Sequence, residues 1–270
     1  MADGSHILNS MPVIAVLGRN PNTYRDNGRA ELKANAGRRE RVYDNDAKII
    51  EYLEFYDVAP RDKGVPKHSL AHAALYHFEH FITGQKPYSN IAHHLLPCEV
   101  FIPNEVFTEE ELEILKRVVY DVNNGKNIIF LPGFSHAVEV YLLKRGNRTG
   151  SEVWRGLGDG ARQQHKEAWQ KQSLRYCNVH RLPCHYDFHQ DYTAQVKDDC
   201  VELKRLVRSQ LGKVCEEWKP PESIPRTLYK LQDVYWEYVV AFGESRPLDA
   251  GASINALIKI KPRKARRQIG

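Results

Sequence analysis

Residues 90–100 read NIAHHLLPCEV and place two histidines side by side at the end of an apolar run. On an extended strand adjacent side chains point to opposite faces, so His93 and His94 would serve different purposes. One could bind a metal ion, and the other could act as a general base, because a free imidazole has a pKa of about 6.5. The stretch therefore predicts a strand end that carries a metal or acid–base site.

A second short strand is predicted at residues 126–132, which read KNIIFLP. The run is rich in β-branched residues and closes on a proline. Asn127 stands at its start, where the amide could hydrogen-bond backbone groups of a long loop and hold that loop in place.

A long amphipathic helix is predicted from residue 185 onwards. Residues that step by three or four form one stripe: His185, His189, Tyr192, Val196, Cys200, Leu203, Val207 and Leu211. At helical positions i and i+4, the Cβ atoms of His185 and His189 would lie about 5–6 Å apart, so both rings could reach one ion. A histidine of the 93–94 pair could supply the third ligand.

The remaining patterns predict a mostly helical α+β protein. Helical spacing recurs at 46–57, 67–82, 161–174 and 226–242, and a capping box joins Thr108 to Glu111 ahead of another helix. Residues 12–43, rich in Arg, Asn and Gly, predict a loop or irregular arm. Pro220 and Pro221 would end the long helix, and residues 252–261, ASINALIKIK, predict a final strand.

Composition and charge limit the kinds of protein that this chain can be. With 42% apolar residues, the 270-residue chain can bury a core, and it holds neither a run of about 20 apolar residues nor a secretory leader. We therefore expect a protein made in the cytoplasm with no membrane partner. Five scattered cysteines, an odd number, favour a reducing compartment. The net charge is +5, and the 21 residues after Asp249 carry six basic residues and no acid. This basic tail could contact phosphate groups, or it could be a solvated end that keeps the protein soluble.

Three blocks of the chain resemble the signature of the AHH nucleases, a family in the HNH/endonuclease VII superfamily. They read IAHHLLP, NNGKNIIFLPG and LPCHYDFHQDYTAQV, and they lie in the family's order within residues 88–212. The family's Ala-His-His falls on residues 92–94, its strand on 127–132, and its last block on His185, His189 and Tyr192. Ile128 stands where Gly is usual, and residues 188 and 190 are Phe and Gln where Ser and Pro are common.

The resemblance implies a ββα-metal nuclease core at residues 86–217, with an insertion at 133–183. An N-terminal arm and helical region at 1–85 and a C-terminal helix, strand and basic tail at 218–270 would flank it. By the same resemblance His93, His185 and His189 hold a divalent metal ion, His94 activates water, and Asn127 holds the loop. We also expect Arg181, just ahead of the predicted helix, to bind the substrate phosphate.

The implied function is a metal-dependent endonuclease that hydrolyses DNA. Similar proteins are antibacterial toxin modules, so the resemblance implies delivery into a target bacterium by type VI secretion or a related system. The expected partners are DNA, an immunity protein, and a secretion-apparatus or chaperone protein. We expect Mg²⁺ to support turnover, while Zn²⁺ or Ni²⁺ suits a three-histidine set.

Three other readings compete with the nuclease. Cys177, His180, Cys184 and His185 offer four ligands for a structural zinc module, although their spacing is cramped. The sequence GFSHA at 133–137 follows a strand, as in hydrolases with a nucleophile elbow, but its fifth residue is Ala and not Gly. In a binding or adaptor protein the histidines would only be packed.

Overall fold

The computed structural model describes residues 24–42, 90–118, 120–133, 158–161, 163, 181–185, 189–247 and 250–260. In these residues a small two-stranded antiparallel sheet is surrounded by helices, so the fold is α+β and mostly helical. The helices predicted at 46–57 and 67–82 lie outside the described residues, as does nearly all of the helix predicted at 161–174. The division of the chain into three regions stays a prediction.

The helices and strands follow one another along the chain within the described ranges. They are α1 (Tyr24–Ala34), α2 (Ala36–Val42), β1 (Asn90–His94), α3 (Glu109–Lys116), β2 (Ile128–Pro132), α4 (Gln190–Asp199), α5 (Val201–Arg208) and α6 (Ser223–Glu244). Short 3₁₀ helices cover Cys98–Phe101, Gly125–Asn127 and Ile254–Ile260. No helix of the described part combines the length and apolar character needed to cross a bilayer.

The two strands form where the sequence predicts them, and their register decides which residues share a face. His93 pairs with Ile129 and His94 with Ile128 in the antiparallel ladder. Directly opposed residues lie on the same face of a sheet and neighbours in a strand on opposite faces. One face therefore carries His94 with Ile128 and Phe130, and the other carries His93 with Ile129 and Leu131.

The prediction of an irregular arm at 12–43 is wrong for residues 24–42, which form α1 and α2. Tyr24, Gly28 and Leu32 are spaced by four and are buried, so packing outweighs the high Arg, Asn and Gly content. A Cβ atom added to Gly28 would lie 2.8 Å from Cγ2 of Ile128 and 3.1 Å from the ring of Phe130. The glycine therefore lets α1 approach the sheet face that carries His94.

Ion pairs hold α2 against α6. The Arg38 guanidinium lies 2.7 Å from the Asp233 carboxylate and 4.3 Å from the Trp236 ring, and Arg41 lies 2.7 Å from Glu237. Arg38 also donates a hydrogen bond to the Lys126 carbonyl, just before β2. These contacts link the N-terminal helices to both the C-terminal helix and the sheet.

The capping box predicted at the start of α3 is confirmed. The Thr108 hydroxyl accepts from the Glu111 amide at 3.2 Å, and the Glu111 carboxylate accepts from the Thr108 amide at 2.8 Å. The Glu111 side chain is almost fully buried and is also 2.6 Å from the Arg208 guanidinium. The capping box therefore also links α3 to α5.

The single long helix predicted from His185 is wrong in its extent. The helix begins at Gln190, is interrupted at Cys200 and ends at Arg208, well before Pro220. The amide of His185 donates to the Pro132 carbonyl at 2.8 Å, so this residue is bonded to the end of β2 and lies outside the helix. From residue 192 to residue 207 the stripe is nevertheless buried, as its spacing predicts.

The predicted final strand at 252–261 is also wrong, because Ile254–Ile260 form a 3₁₀ helix. Ile254 and Leu257, which are buried, are three apart, and this matches the 3₁₀ repeat. Asn255 accepts from the Tyr192 amide at 3.1 Å, so this segment helps to cap α4. The helix predicted at 226–242 is confirmed and extends one turn further at its N-terminus, to Ser223.

We predict opposite effects for two glycine substitutions in the N-terminal helices. Gly28→Ala should lower the free energy of unfolding by about 1–3 kcal/mol, because the new methyl group overlaps Ile128 and Phe130. Gly37→Ala in α2 meets only the Asn35 side chain, at 3.7 Å, and should raise stability by up to about 1 kcal/mol through helix propensity. Urea denaturation measures both, and equal effects would contradict the close approach of α1 to the sheet.

Candidate metal centre

His93 is the penultimate residue of β1. It is one of three histidines, with His185 and His189, that form the candidate metal centre. Its side chain is 2% exposed and lies on the sheet face opposite to that of His94. The ring packs edge-on against Tyr192 of α4, with centroids 4.8 Å apart. This imidazole is therefore buried between the sheet and the helix.

His185 reaches the centre from an extended segment and not from a helix. Its neighbour Cys184 donates to the Ala252 carbonyl at 2.7 Å, while His185 bridges to Gly133 beside the end of β2. The segment 184–185 is thus held between β2 and the C-terminal 3₁₀ region. The His185 side chain is 9% exposed.

His189 is the residue that precedes α4, at its N-cap position, and is 7% exposed. Its Nδ1 atom is 3.1 Å from the hydroxyl oxygen of Thr193, one helical turn further on. A hydrogen bond at Nδ1 sets the tautomer of an imidazole and leaves Nε2 to bind a metal. The predicted i and i+4 helical pair is therefore wrong as local structure, because only the second histidine touches the helix.

The three imidazoles nevertheless converge. Ring centroids lie 5.2 Å apart for His93 and His185, 4.8 Å for His93 and His189, and 5.0 Å for His185 and His189. One nitrogen from each ring lies within 4.8 Å of the other two. These buried nitrogens could bind one metal ion.

The chemistry of the donor set fits a borderline transition metal. Neutral imidazoles suit zinc, nickel and similar ions, whereas magnesium prefers oxygen ligands. Zinc lies about 2.0–2.1 Å from imidazole nitrogen, so each ring would move inwards by roughly 1 Å or less to meet one ion. A set of three protein ligands is typical of catalytic zinc sites, whereas structural zinc sites usually have four.

Tyr192 forms the wall behind the centre. Its hydroxyl donates to the Leu95 carbonyl at 2.8 Å, and its ring contacts both His93 and His189. Complete burial raises the pKa of Tyr192 well above its ordinary value, so the phenol stays neutral. The residue thus links α4 to the end of β1 and packs two of the imidazoles.

His94 lies on the other sheet face and is half-buried. Its Nε2 atom is 3.0 Å from Oδ1 of Asn123, and its ring stacks on Tyr24 of α1 with centroids 5.2 Å apart. The register of β1 thus separates it from the three converging histidines, as the sequence predicts for adjacent strand residues.

Asn127 makes the loop-holding hydrogen bonds expected of it. Its Oδ1 accepts from the Leu96 amide at 2.8 Å, and its Nδ2 donates to the carbonyls of Leu96 and Val122 at 3.1 and 2.8 Å. Its own carbonyl accepts from the Leu95 amide at 2.8 Å. The buried amide therefore joins both ends of the connection between β1 and β2.

Arg181, expected to bind phosphate, lies against the end of α6. Its guanidinium donates to the Arg246 carbonyl at 3.2 Å. A Cβ atom added to Gly243 would collide with the backbone carbonyl of Arg181. The substrate role of Arg181 stays a prediction.

The ligands proposed for a structural zinc module are described only in part. Cys184 is buried beside His185, whereas Cys177 and His180 lie outside the described residues, as do Ser135 and His136 of the GFSHA segment. Burial raises the pKa of the Cys98 and Cys200 thiols to about 12, which disfavours the thiolate that a metal requires.

Sequence reasoning missed three residues that touch the histidines. Asn123 and Tyr24 contact His94, and Thr193 contacts His189. The spacing of Tyr24, Gly28 and Leu32, four residues apart, could have predicted helix α1. Nothing in that spacing indicated which histidine the helix would meet.

The fold and the site define an α+β protein with a buried three-histidine group that could hold a metal ion. Comparison of the chain with protein-family models, with curated proteins and with solved structures finds no match.

We predict that the full chain binds one zinc ion per molecule through the three converging imidazoles. At a free zinc concentration about 100 times the Kd, binding should add about 2.7 kcal/mol to the free energy of unfolding. His93→Ala should weaken zinc binding by more than about 100-fold, whereas His94→Ala should leave it within about threefold. Isothermal titration calorimetry measures both affinities, and equal losses in the two variants would contradict the division between the sheet faces.

We predict that Asn127→Ala is among the costly polar substitutions, with a loss of about 3–5 kcal/mol in the free energy of unfolding. The variant leaves buried backbone groups of Leu96 and Val122 without their side-chain partner. Asn124→Ala, a neighbouring half-buried cap, should cost only about 0.5–2 kcal/mol. Chemical denaturation compares them, and similar losses would contradict the role of Asn127 in holding the loop.

Proposed function

We propose that this protein is a metal-dependent endonuclease that hydrolyses phosphodiester bonds in DNA. The observation that carries the proposal is the convergence of His93, His185 and His189, with a fourth histidine next to them on the opposite sheet face. The three resembling blocks supply these same residues, in the same order along the chain.

We also propose that the residues of the site form a ββα-metal core. Two antiparallel strands and a following helix supply or flank the histidines, in the order β1, β2 and α4. That order supports a ββα-metal core. In it β1 provides one ligand, His93, and the residues that precede α4 provide two, His185 and His189. The interval between β2 and α4 accommodates the insertion at 133–183.

The proposed mechanism assigns one task to each group of residues. His93, His185 and His189 would hold a divalent ion, which when bound stabilises charge on the phosphoryl oxygen and the leaving 3′ oxygen. His94 accepts the proton of the water that attacks phosphorus in line. Asn127 holds the loop after β1 in place, and this keeps His94 within hydrogen-bond reach of the attacking water.

The metal used for turnover follows from donor chemistry. Three neutral nitrogen ligands favour Zn²⁺ or Ni²⁺ over Mg²⁺ in the resting protein. Mg²⁺ prefers oxygen ligands, which a phosphodiester substrate offers, so Mg²⁺ remains our proposed ion for turnover. The two proposals separate in an assay that supplies each ion alone to metal-free protein.

The biological setting is proposed from the resemblance alone. We propose an antibacterial toxin, made in the cytoplasm, delivered into a target bacterium and neutralised by an immunity protein. A secretion-apparatus or chaperone protein would bind it before delivery. The six basic residues after Asp249 would contact DNA phosphates without reading sequence.

A structural metal site is the second candidate, and one observation favours it. The three histidines join segments that are far apart in the chain, and their side chains are only 2–9% exposed. Metal binding would then stabilise the fold and support no reaction. Under that reading chelation unfolds the protein, and His94→Ala has no functional effect.

We predict that metal-free protein leaves supercoiled plasmid DNA intact and that added divalent ion restores nicking. His94→Ala should keep the bound metal and lower the cleavage rate about 10²- to 10⁴-fold, because a general base contributes that much. Arg205→Ala, an exposed change on α5, controls for preparation and handling. Gel assays with Mg²⁺, Mn²⁺, Zn²⁺ or Ni²⁺, each with and without EDTA, measure the rates.

One result would contradict the nuclease function, and another would contradict the role of His94. If no ion supports nicking by the wild type, while zinc still raises its thermal stability, the site is structural. If His94→Ala cleaves as fast as the wild type, a different group activates the water.

A further inference from the structure

Helix α1 covers the sheet face that carries His94, although it lies ahead of all three resembling blocks. The Tyr24 ring stacks on the His94 ring, with centroids 5.2 Å apart and 29° between the planes. Tyr24 is 7% exposed, and burial raises the pKa of its phenol to about 12. A neutral aromatic ring is therefore packed against one side of the proposed base.

Asn123 contacts the edge of the same imidazole, with Oδ1 at 3.0 Å from Nε2. The residue is fully buried and is fixed through its own backbone. Its backbone N–H donates to the Asp121 carboxylate at 2.9 Å, and its backbone carbonyl accepts from Nδ2 of Asn27 in α1 at 2.8 Å. Helix α1 therefore reaches His94 directly through Tyr24 and indirectly through Asn27 and Asn123.

The two contacts restrict different properties of the imidazole. A stacked neighbour limits rotation of the ring out of its plane. An amide oxygen can only accept, so in the neutral ring Nε2 carries the hydrogen and Nδ1 carries the lone pair. The same contacts thus select both the plane of the ring and the nitrogen that can take a proton.

We propose that Tyr24 and Asn123 are positioning residues for His94 and hold it with Nδ1 as its basic nitrogen. Their effect on cleavage rests on the proposed nuclease function, whereas their hold on the ring does not. In this arrangement α1 is one wall of the active site, and the chemistry depends on Tyr24, which lies outside the three resembling blocks, as well as on Asn123, which lies within the second.

Nuclear magnetic resonance of the full chain tests the hold on the ring without any cleavage. Long-range ¹H–¹⁵N spectra distinguish the two neutral tautomers, and the His94 signals are those that His94→Ala removes. At a pH of about 8, where a free imidazole is neutral, the zinc-loaded wild type should show the Nε2–H form. Asn123→Ala should give a mixture of tautomers, and Asn123→Asp, which keeps an acceptor oxygen, should restore Nε2–H.

The Tyr24 variants separate stacking from general packing. Tyr24→Leu should shift the His94 ring signals and lower kcat about 10- to 100-fold, with KM and zinc affinity within about threefold. Tyr24→Phe keeps the aromatic ring and should rescue both readouts. Leu32→Ala, a buried change on the same helix, should destabilise the protein and leave the His94 tautomer and kcat near those of the wild type.

Two results would overturn the proposal. Either the His94 spectrum stays the same in Tyr24→Leu and Asn123→Ala, or it changes while kcat does not. If the wild type cleaves no DNA with any ion, the proposed function fails, and the spectra alone then decide whether the two residues fix the ring.

Discussion

The antiparallel pairing of β1 with β2 is the constraint on which the site depends. Its register puts His93 opposite Ile129 and His94 opposite Ile128, and this sends the two adjacent imidazoles to different faces. A slip of one residue would exchange the faces, moving His94 towards α4 and His93 towards α1. The Asn127 side chain continues the hydrogen bonding past the end of β1, so it opposes such a slip.

The two sheet faces receive different kinds of support. On the His93 face, Tyr192 packs against the His93 ring, and backbone hydrogen bonds hold residues 184 and 185 between β2 and the C-terminal 3₁₀ region. On the His94 face, α1 supplies an aromatic ring and anchors Asn123. A metal ion bound by His93, His185 and His189 would join β1, the end of β2 and the start of α4, so metal binding and folding would be thermodynamically linked.

The predictions that succeeded depend on local pattern. The strand at 128–132, the capping box of Thr108 and the separation of His93 from His94 each follow from a few consecutive residues. The expected meeting of His185 and His189 with His93 agrees with the structure, but the helical spacing behind that expectation does not. His185 is positioned by the Pro132 carbonyl, a partner more than 50 residues away that no periodicity reveals. The role of α1 was hidden for the same reason, because Tyr24 meets His94 only after the helix packs on the sheet.

The proposed centre predicts that one metal ion binds to three imidazoles and to no sulfur. X-ray absorption spectroscopy of the zinc-loaded full chain measures this directly, since zinc lies about 2.0–2.1 Å from imidazole nitrogen and about 2.3 Å from thiolate sulfur. We predict a first shell of nitrogen and oxygen only, with the outer scattering of three imidazoles, reduced to two in His93→Ala. A sulfur shell, or a spectrum that His93→Ala leaves unchanged, would contradict the assignment and favour a cysteine-containing site at residues 177–185.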